Sequence, residues 1–218
     1  MFLRSASTRE SRFSKDDLEE LRRVFKKAST RQKMQVNEDG KVVERMVEVM
    51  NKEQFRSQMG LLGQQQHPYL ADRIFEVFDT DCDGRINVQS FTSIMDVLCN
   101  GEEDERNMFG FALMDKEGNG EVTFEEFYDY FSQVISHWSS LVNSHVRISR
   151  AELLQIFRTI DIDNDGSVRY TEYRRALRKN PELLDWFDLL NTQKAKPLDD
   201  SSIANKNPIK ELIEEKKR

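Results

Sequence analysis

The chain has 218 residues, a formal net charge of −6 and a pI of about 5.3. Surfaces that bind nucleic acid are basic, so this acidic balance argues against nucleic acid as the main partner; it suits the binding of cations or basic helices. Hydrophobic residues make up 38% of the chain, enough for a core, and no apolar run is long enough to predict a transmembrane segment.

The cysteines and the N-terminus bear on cellular location. Cys82 and Cys99 lack the spacing of a zinc site or a disulfide framework, and free thiols are typical of reducing compartments. The first residues contain no apolar signal segment, and Phe2 excludes N-myristoylation of the sequence as given. We therefore expect a cytoplasmic protein.

The first part of the chain alternates between polar stretches and helices. Residues 1–14 are basic and serine-rich and are expected to be disordered. A helix is predicted over Lys15–Ala28, because Ser14 is an N-cap residue and the apolar residues that follow share one face. Thr30–Met46 is polar and is expected to be irregular, and a second helix is predicted over Lys52–Leu62.

A repeat begins at Pro68. Three segments share one pattern, in which an amphipathic helix, an acidic loop centred on glycine and a second helix follow one another. The loops begin at Asp79, Asp115 and Asp161. The predicted helices are 68–78 and 88–98, 103–114 and 124–137, and 149–160 and 170–179.

The acidic loops have the spacing of a calcium site. Ca²⁺ prefers several oxygen ligands, and a twelve-residue loop supplies them from positions 1, 3, 5, 7, 9 and 12, with glycine at position 6 for the turn. Isolated matches to this pattern are often acidic surface turns. Three matches in phase, each followed by an aromatic residue (Phe91, Phe127 or Tyr173), favour EF-hand calcium loops instead.

Two loops are predicted to bind Ca²⁺. The predicted ligands in the Asp161 loop are Asp161, Asp163, Asp165, Ser167 through its carbonyl, and Glu172. Those in the Asp115 loop are Asp115, Glu117, Asn119, Glu121 through its carbonyl, and Glu126. Arg169, at position 9 of the Asp161 loop, is unusual there and is expected to weaken binding modestly.

The Asp79 loop departs from the pattern at its last position. Its candidate ligands are Asp79, Asp81, Asp83, Arg85 through its carbonyl, and Ser90. Ser90 offers one neutral oxygen where the pattern has a bidentate glutamate. Mg²⁺ takes fewer ligands than Ca²⁺ and keeps its waters, so we expect a weak Ca²⁺ or Mg²⁺ site, or no binding at physiological levels.

The fold class follows from the repeat. EF-hand loops stabilise each other in pairs, so the three loops imply a fourth, degenerate hand before Asp79, and the sequence predicts an all-α protein of four EF-hands in two paired lobes. The predicted divisions are 15–100 and 101–180 for the two pairs, 181–191 for an amphipathic helix and 192–218 for a polar, mobile tail.

The chain resembles the four-EF-hand calcium sensors of the calmodulin superfamily on these loops. The ion-free first hand and the long interval before the last loop resemble the neuronal calcium sensor and calcineurin B type. The stretches "HPYLADRIFEVFDTDCDG" and "RRALRKNPELLDWF" also resemble the EF-hand segment of calcium-activated NADPH oxidases. The resemblance implies a calcium sensor, and because the sequence contains no nucleophile motif, phosphate-binding loop or transition-metal cluster, we expect no catalytic activity.

In such sensors Ca²⁺ draws the closing glutamate into its shell, and an apolar groove opens for an amphipathic helix. The residues predicted to line this groove are Phe111, Leu113, Phe127, Phe131, Ile156, Phe157 and Leu177. Here the occupant is predicted to be a helix of a target protein or the chain's own Pro181–Leu190 segment, with membrane association only through a partner. Two alternatives remain open: a calcium-regulatory segment of a larger enzyme such as an oxidase, and a calcium buffer that barely opens.

Overall fold

The computed structural model describes residues 11–38, 41–59, 68–141 and 148–179. The chain divides between Asn100 and Gly101 into two compact units. The predicted Pro181–Leu190 helix and the polar tail lie outside the described residues. In the described part of the chain, no helix combines the length and apolar character needed to cross a membrane.

The first unit begins with helix α1, Lys15–Ala28, which has the predicted bounds. Ser14 and Asp17 form a capping box, in which each side chain accepts a hydrogen bond from the other residue's backbone N–H. Of residues 1–14, which were expected to be disordered, residues 1–10 lie outside the described residues, whereas residues 11–14 belong to the described structure. Arg12 Nε and Nη2 donate to Asp96 Oδ2 at 3.0 and 2.9 Å, a charge-assisted pair that holds this segment in place.

A β-hairpin follows, where an irregular stretch was expected. Strand β1, Thr30–Glu38, pairs antiparallel with strand β2, Lys41–Asn51, in a register that runs from Thr30 opposite Val49 to Glu38 opposite Lys41. The interpretation as an irregular segment was wrong because charged residues hid two strand signals. These signals are the β-branched valines of β2 and the Asp-Gly dipeptide at 39–40, which two-residue hairpin connections favour.

The end of β2 leads into the rest of the first unit. Helix α2, Lys52–Gln58, is shorter than predicted. Helix α3, Tyr69–Phe78, is joined to helix α4, Val88–Asn100, by a loop that contains strand β3, Arg85–Asn87. Strand β3 pairs with the end of β2, which completes a three-stranded sheet in the order β1-β2-β3.

The second unit contains two helix–loop–helix units. The first comprises helix α5 (Glu103–Met114), strand β4 (Glu121–Thr123) and helix α6 (Phe124–Leu141). The second comprises helix α7 (Arg150–Ile160), strand β5 (Ser167–Arg169) and helix α8 (Tyr170–Lys179). Strands β4 and β5 pair antiparallel, with the buried Val122 opposite the buried Val168.

Aromatic side chains lie in the core of each unit beside aliphatic residues. In the first unit, the rings of Phe25 and Phe91 lie 5.5 Å apart, as centroid distances. In the second, the rings of Phe127 and Phe157 lie 5.5 Å apart, and the side chain of Tyr173 is 1% exposed. Phe91, Phe127 and Tyr173 each follow position 12 of a loop, so the core anchors the helix that leaves each loop.

The predicted fold class, a helical protein of paired EF-hands, is confirmed, with the hairpin as the departure from an all-α structure. The first hand consists of α1 and α2 with the hairpin between them. Arg56 of α2 forms a bidentate ion pair with Asp72 of α3, at 2.5 and 2.6 Å, which joins the first hand to the second.

Candidate calcium sites

The three loops share one backbone frame. In each loop, the carboxylate of the aspartate at position 1 accepts a hydrogen bond from the N–H of the glycine at position 6. The donor–acceptor distances are 2.9 Å for Gly84 to Asp79, 2.8 Å for Gly120 to Asp115 and 3.1 Å for Gly166 to Asp161. All three glycines have positive φ, as the sharp turn requires.

Position 4 of each loop is also left-handed, which the sequence did not reveal. Its φ is 54° at Cys82, 69° at Gly118 and 57° at Asn164. Glycine and asparagine tolerate this conformation, whereas cysteine is strained in it. The shared conformation shows that the Asp79 loop keeps the EF-hand frame in spite of Ser90.

Carboxylates gather in two of the loops. Oxygen atoms of Asp79, Asp81 and Asp83 lie within 4.8 Å of one another, and so do those of Asp161, Asp163 and Asp165. Burial, together with the neighbouring acids, raises the pKa of Asp79 against the opposing effect of its backbone hydrogen bonds. Bringing like charges this close is unfavourable unless a cation lies between them.

One carboxylate oxygen of the Asp161 loop is well placed to bind a cation. Asp161 is 5% exposed, and its Oδ1 atom is buried without a hydrogen-bond partner among the described residues. A buried carboxylate oxygen without a partner is costly, and a hard cation such as Ca²⁺ would satisfy it. The donor set of this loop, which consists of oxygens throughout, fits Ca²⁺ as well.

The Asp115 loop contains an amide in place of one carboxylate. Asn119 Oδ1 accepts a hydrogen bond from Glu121 N at 2.9 Å, and Asn119 Nδ2 lies 3.3 Å from Glu117 Oε2. These bonds bring the predicted ligands at positions 3 and 5 together. The predicted Glu121 ligand is its backbone carbonyl, so its side chain is free for another contact, described below.

The closing glutamates already reach across their loops. Glu126 lies in the first turn of α6, and its Oε1 accepts hydrogen bonds from Lys116 N at 3.0 Å and Glu117 N at 3.2 Å. Its Oε2 accepts from Thr123 N at 2.9 Å. Burial alone would raise the pKa of Glu126, but these hydrogen bonds outweigh it and lower the pKa. The glutamate therefore stays ionised, as a calcium ligand must be.

Glu172 has the same arrangement in the Asp161 loop. Its Oε1 accepts from Ile162 N at 2.9 Å and Asp163 N at 3.4 Å, and its Oε2 accepts from Arg169 N at 3.0 Å. In this loop Ser167 is turned toward Asp165, since both its N–H and its hydroxyl donate to Asp165 Oδ1 at 2.9 Å.

Ser90 does not close the Asp79 loop in this way. Its backbone N–H donates to Asn87 Oδ1 at 2.9 Å, at the start of α4, and no hydrogen bond from its hydroxyl across the loop is present among the described residues. Arg85 Nη1 lies 3.8 Å from Asp83 Oδ2. Asp79, Asp81 and Asp83 are thus brought together, whereas Ser90 supplies no contact across the loop.

The first hand keeps the second half of an EF-hand loop. Met50 of β2 lies opposite Ile86 of β3, as Val122 lies opposite Val168 in the second unit. Asn51 then caps α2 in a capping box with Gln54, whose amide occupies the place of the closing glutamate. The hairpin replaces the ligand-bearing first half of the loop.

Arg169 has a larger role in the geometry than its place in the sequence suggested. Its Nη1 lies 2.7 Å from Asp165 Oδ2 and 3.4 Å from Asp163 Oδ2, and its Nε donates to Glu121 Oε1 at 3.0 Å. Hydrogen bonds from Ser167, and then the charge of Arg169, lower the pKa of Asp165. The sequence indicated an effect on the site through the unusual arginine at position 9. The contact of this arginine with Glu121 could be recognised only from the structure.

Comparison with known proteins agrees with this geometry. A family model described as an EF-hand domain pair matches residues 69–132, and another of the same description matches 139–180. The match to residues 69–132 contains the Asp79 and Asp115 loops. In the structure these two loops do not pair with each other: the Asp79 loop pairs with the hairpin, and the Asp115 loop pairs with the Asp161 loop.

Three relatives each align with between 61% and 65% of this chain. A recoverin family protein of Dictyostelium discoideum is 27% identical over 156 residues, which are 62% of this chain and 69% of the relative. Guanylyl cyclase-activating protein 3 of Homo sapiens is 27% identical over 134 residues, 61% of this chain and 62% of the relative. Calcium-binding protein NCSA of Dictyostelium discoideum is 30% identical over 148 residues, 65% of this chain and 77% of the relative. With the loop geometry, these matches show that the chain belongs to the EF-hand calcium sensors of the calmodulin superfamily.

Proposed function

We propose that this protein binds Ca²⁺ at the Asp115 and Asp161 loops, changes conformation and regulates a partner protein through an apolar groove of its second unit. The observation that carries the proposal is the position of Glu126 and Glu172. Each stands in the first turn of an outgoing helix. An ion that draws either carboxylate inward would therefore move the helix attached to it.

The apolar residues predicted to line the groove support this mechanism. Phe111, Leu113, Phe127, Phe131 and Phe157 are buried, and Ile156 and Leu177 are half-buried. Burial of the predicted groove suits an ion-free, closed arrangement, in which the apolar surface becomes available only when the helices separate.

The proposed partner is a protein that presents an amphipathic helix. The name of one relative, guanylyl cyclase-activating protein 3, states an action on an enzyme, and we propose regulation of the same general kind here. The Pro181–Leu190 segment, outside the described residues, is the competing occupant of the groove. Any membrane association would then come through the partner.

The test is a calorimetric Ca²⁺ titration with and without Mg²⁺. Two tight sites are expected, and Glu126→Gln and Glu172→Gln should each remove one, because each loses a charged ligand. Glu103→Gln, at an exposed position in the first turn of α5, is the matched control and should leave both sites unchanged. Wild-type protein that binds no Ca²⁺ would refute the proposal.

A calcium buffer is the second candidate. The observation that favours it is that both closing glutamates are already hydrogen-bonded across their loops, so ion binding would move the helices little. Binding of a hydrophobic dye separates the two functions. A sensor gains dye binding when Ca²⁺ is added, whereas a buffer takes up Ca²⁺ without that gain.

We propose that the Asp79 loop is a weak site that prefers Mg²⁺ or stays empty at physiological levels. Its carboxylate cluster supports ion binding, and the missing closing ligand argues against a tight Ca²⁺ site. The proposed location is the cytoplasm, because the spacing of Cys82 and Cys99 in the sequence is not that of a disulfide framework. Imaging of the tagged protein in cells tests the location.

A further inference from the structure

Arg169 places a positive charge among the calcium ligands of its own loop. Its guanidinium contacts the carboxylates of Asp165 and Asp163 at 2.7 and 3.4 Å. The equivalent position in the Asp115 loop is Thr123, whose hydroxyl donates to Glu126 at 2.8 Å, and in the Asp79 loop it is Asn87. A cation at this position is therefore peculiar to the Asp161 loop.

The same guanidinium also joins the two loops of the second unit. Antiparallel pairing places Arg169 of β5 opposite Glu121 of β4, and Arg169 Nε donates to Glu121 Oε1 at 3.0 Å. Ser167 Oγ lies 3.4 Å from the other oxygen of that carboxylate. Arg169 can thus leave Asp163 and Asp165 and still keep one ion pair.

We propose that Arg169 is a tethered cation that occupies the carboxylates of the Asp161 loop in the absence of Ca²⁺, and that Ca²⁺ must displace it onto Glu121 in order to bind. Arg169 thereby sets the calcium affinity of this loop and couples it to the Asp115 loop. The inference rests on the proposed function, since it assumes that both loops bind Ca²⁺.

The charges explain why the displacement matters. The Asp161 loop has carboxylates at positions 1, 3, 5 and 12, whereas the Asp115 loop has an amide, Asn119, at position 5. By ligand charge alone the Asp161 loop would bind Ca²⁺ more tightly. The single charge of Arg169 cancels that advantage, so the Asp115 loop is expected to fill first or at the same Ca²⁺ concentration.

The test isolates the Asp161 loop by silencing the other loop with Glu126→Gln. In that background, Arg169→Gln should strengthen Ca²⁺ binding by about threefold or more, on the scale of two partly exposed ion pairs. In a calcium chelator the same substitution should lower the melting temperature, because the carboxylates lose their counter-ion. If Arg169 had a purely structural role, Arg169→Gln would instead lower both the Ca²⁺ affinity and the melting temperature.

Glu121→Gln supplies a test of opposite sign in the same background. It removes the carboxylate that receives the displaced guanidinium, so Ca²⁺ binding at the Asp161 loop should weaken. In Arg169→Gln protein the Glu121→Gln substitution should have no further effect, because no cation remains to be displaced. Arg175→Gln, which removes an exposed arginine of α8 outside the loop, should leave affinity and melting temperature unchanged.

The outcomes are distinct. Wild-type protein that binds no Ca²⁺ would overturn the proposed function and this inference with it. Wild-type protein that binds Ca²⁺, with Arg169→Gln unchanged or weaker in affinity, would overturn this inference alone. A Glu121→Gln effect that persists in Arg169→Gln protein would also overturn it.

Discussion

Ser90, Glu126 and Glu172 occupy the same loop position, and the length and charge of these side chains separate the loops. The two glutamates reach the backbone N–H groups at positions 2 and 3 of their loops, whereas the Ser90 hydroxyl makes no such contact among the described residues. The rest of the Asp79 loop keeps the common frame. The difference in ion binding that we propose for this loop therefore rests on one residue.

Ser90→Glu is expected to create a third calcium site. The new carboxylate would close a loop whose aspartates are already within 4.8 Å of one another. Calorimetry should then show one more Ca²⁺ per chain than wild type, while Ser90→Ala should leave the number unchanged. The prediction fails if Ser90→Glu folds with wild-type helix content and gains no site.

Cys82 is strained at a loop position that glycine and asparagine occupy elsewhere. Cys82→Asn is expected to increase the free energy of unfolding by about 0.5–1 kcal/mol, because asparagine adopts the left-handed conformation more readily. Cys82 is exposed, so little packing is lost. Chemical denaturation measures the change. The reciprocal Asn164→Cys should destabilise the protein, and stabilisation by both substitutions would contradict the explanation.

At the scale of elements, the hairpin does the work of a missing loop. The end of β2 supplies β3 with the strand partner that β5 supplies to β4 in the second unit. Met50 is fully buried at this junction, whereas Met46 on the same strand is 63% exposed. The hairpin thus supports the Asp79 loop without offering calcium ligands from the positions that a loop would use.

Met50→Ala is expected to lower the free energy of unfolding by about 2–5 kcal/mol, the usual cost of truncating a buried methionine. Met46→Ala is the matched control on the same strand and should change the stability by less than about 0.5 kcal/mol, as exposed substitutions do. Denaturant unfolding measures both. Equal effects would mean that Met50 does not anchor the junction of β2 and β3.

At the scale of the whole molecule, the two units differ in their expected response to Ca²⁺. Both loops with a closing glutamate belong to the second unit. The first unit contains the hairpin and the Asp79 loop. Ligand binding stabilises only the structure that forms the site, so the second unit should gain stability selectively.

Hydrogen exchange followed by mass spectrometry measures this difference. A saturating Ca²⁺ concentration, about 100 times the dissociation constant, should add about 2.7 kcal/mol of protection for each site filled, in residues 101–141 and 148–179. Residues 11–38 and 68–100 should change much less. Protein with both Glu126→Gln and Glu172→Gln should show no added protection when Ca²⁺ is present. Equal protection of both units in wild type would contradict the assignment of the calcium sites to the second unit.

The sequence by itself determined the repeat, the loop frame and most helix bounds. The bounds of α1, α5 and α8 agree with the predictions because capping residues and apolar periodicity are local signals, readable over a few residues. The spacing of aspartates and glycines in the loops is local in the same sense. Ser90 was recognisable as a missing ligand for that reason.

Only the tertiary structure decided how the strands pair and where Arg169 lies. The hairpin was missed because its valines are interspersed with charged residues, and strand pairing is settled by contacts between segments far apart in the chain. The contact of Arg169 with Glu121 joins residues of two different loops. Such contacts leave no trace in the spacing of one segment, because they depend on which surfaces the fold brings together.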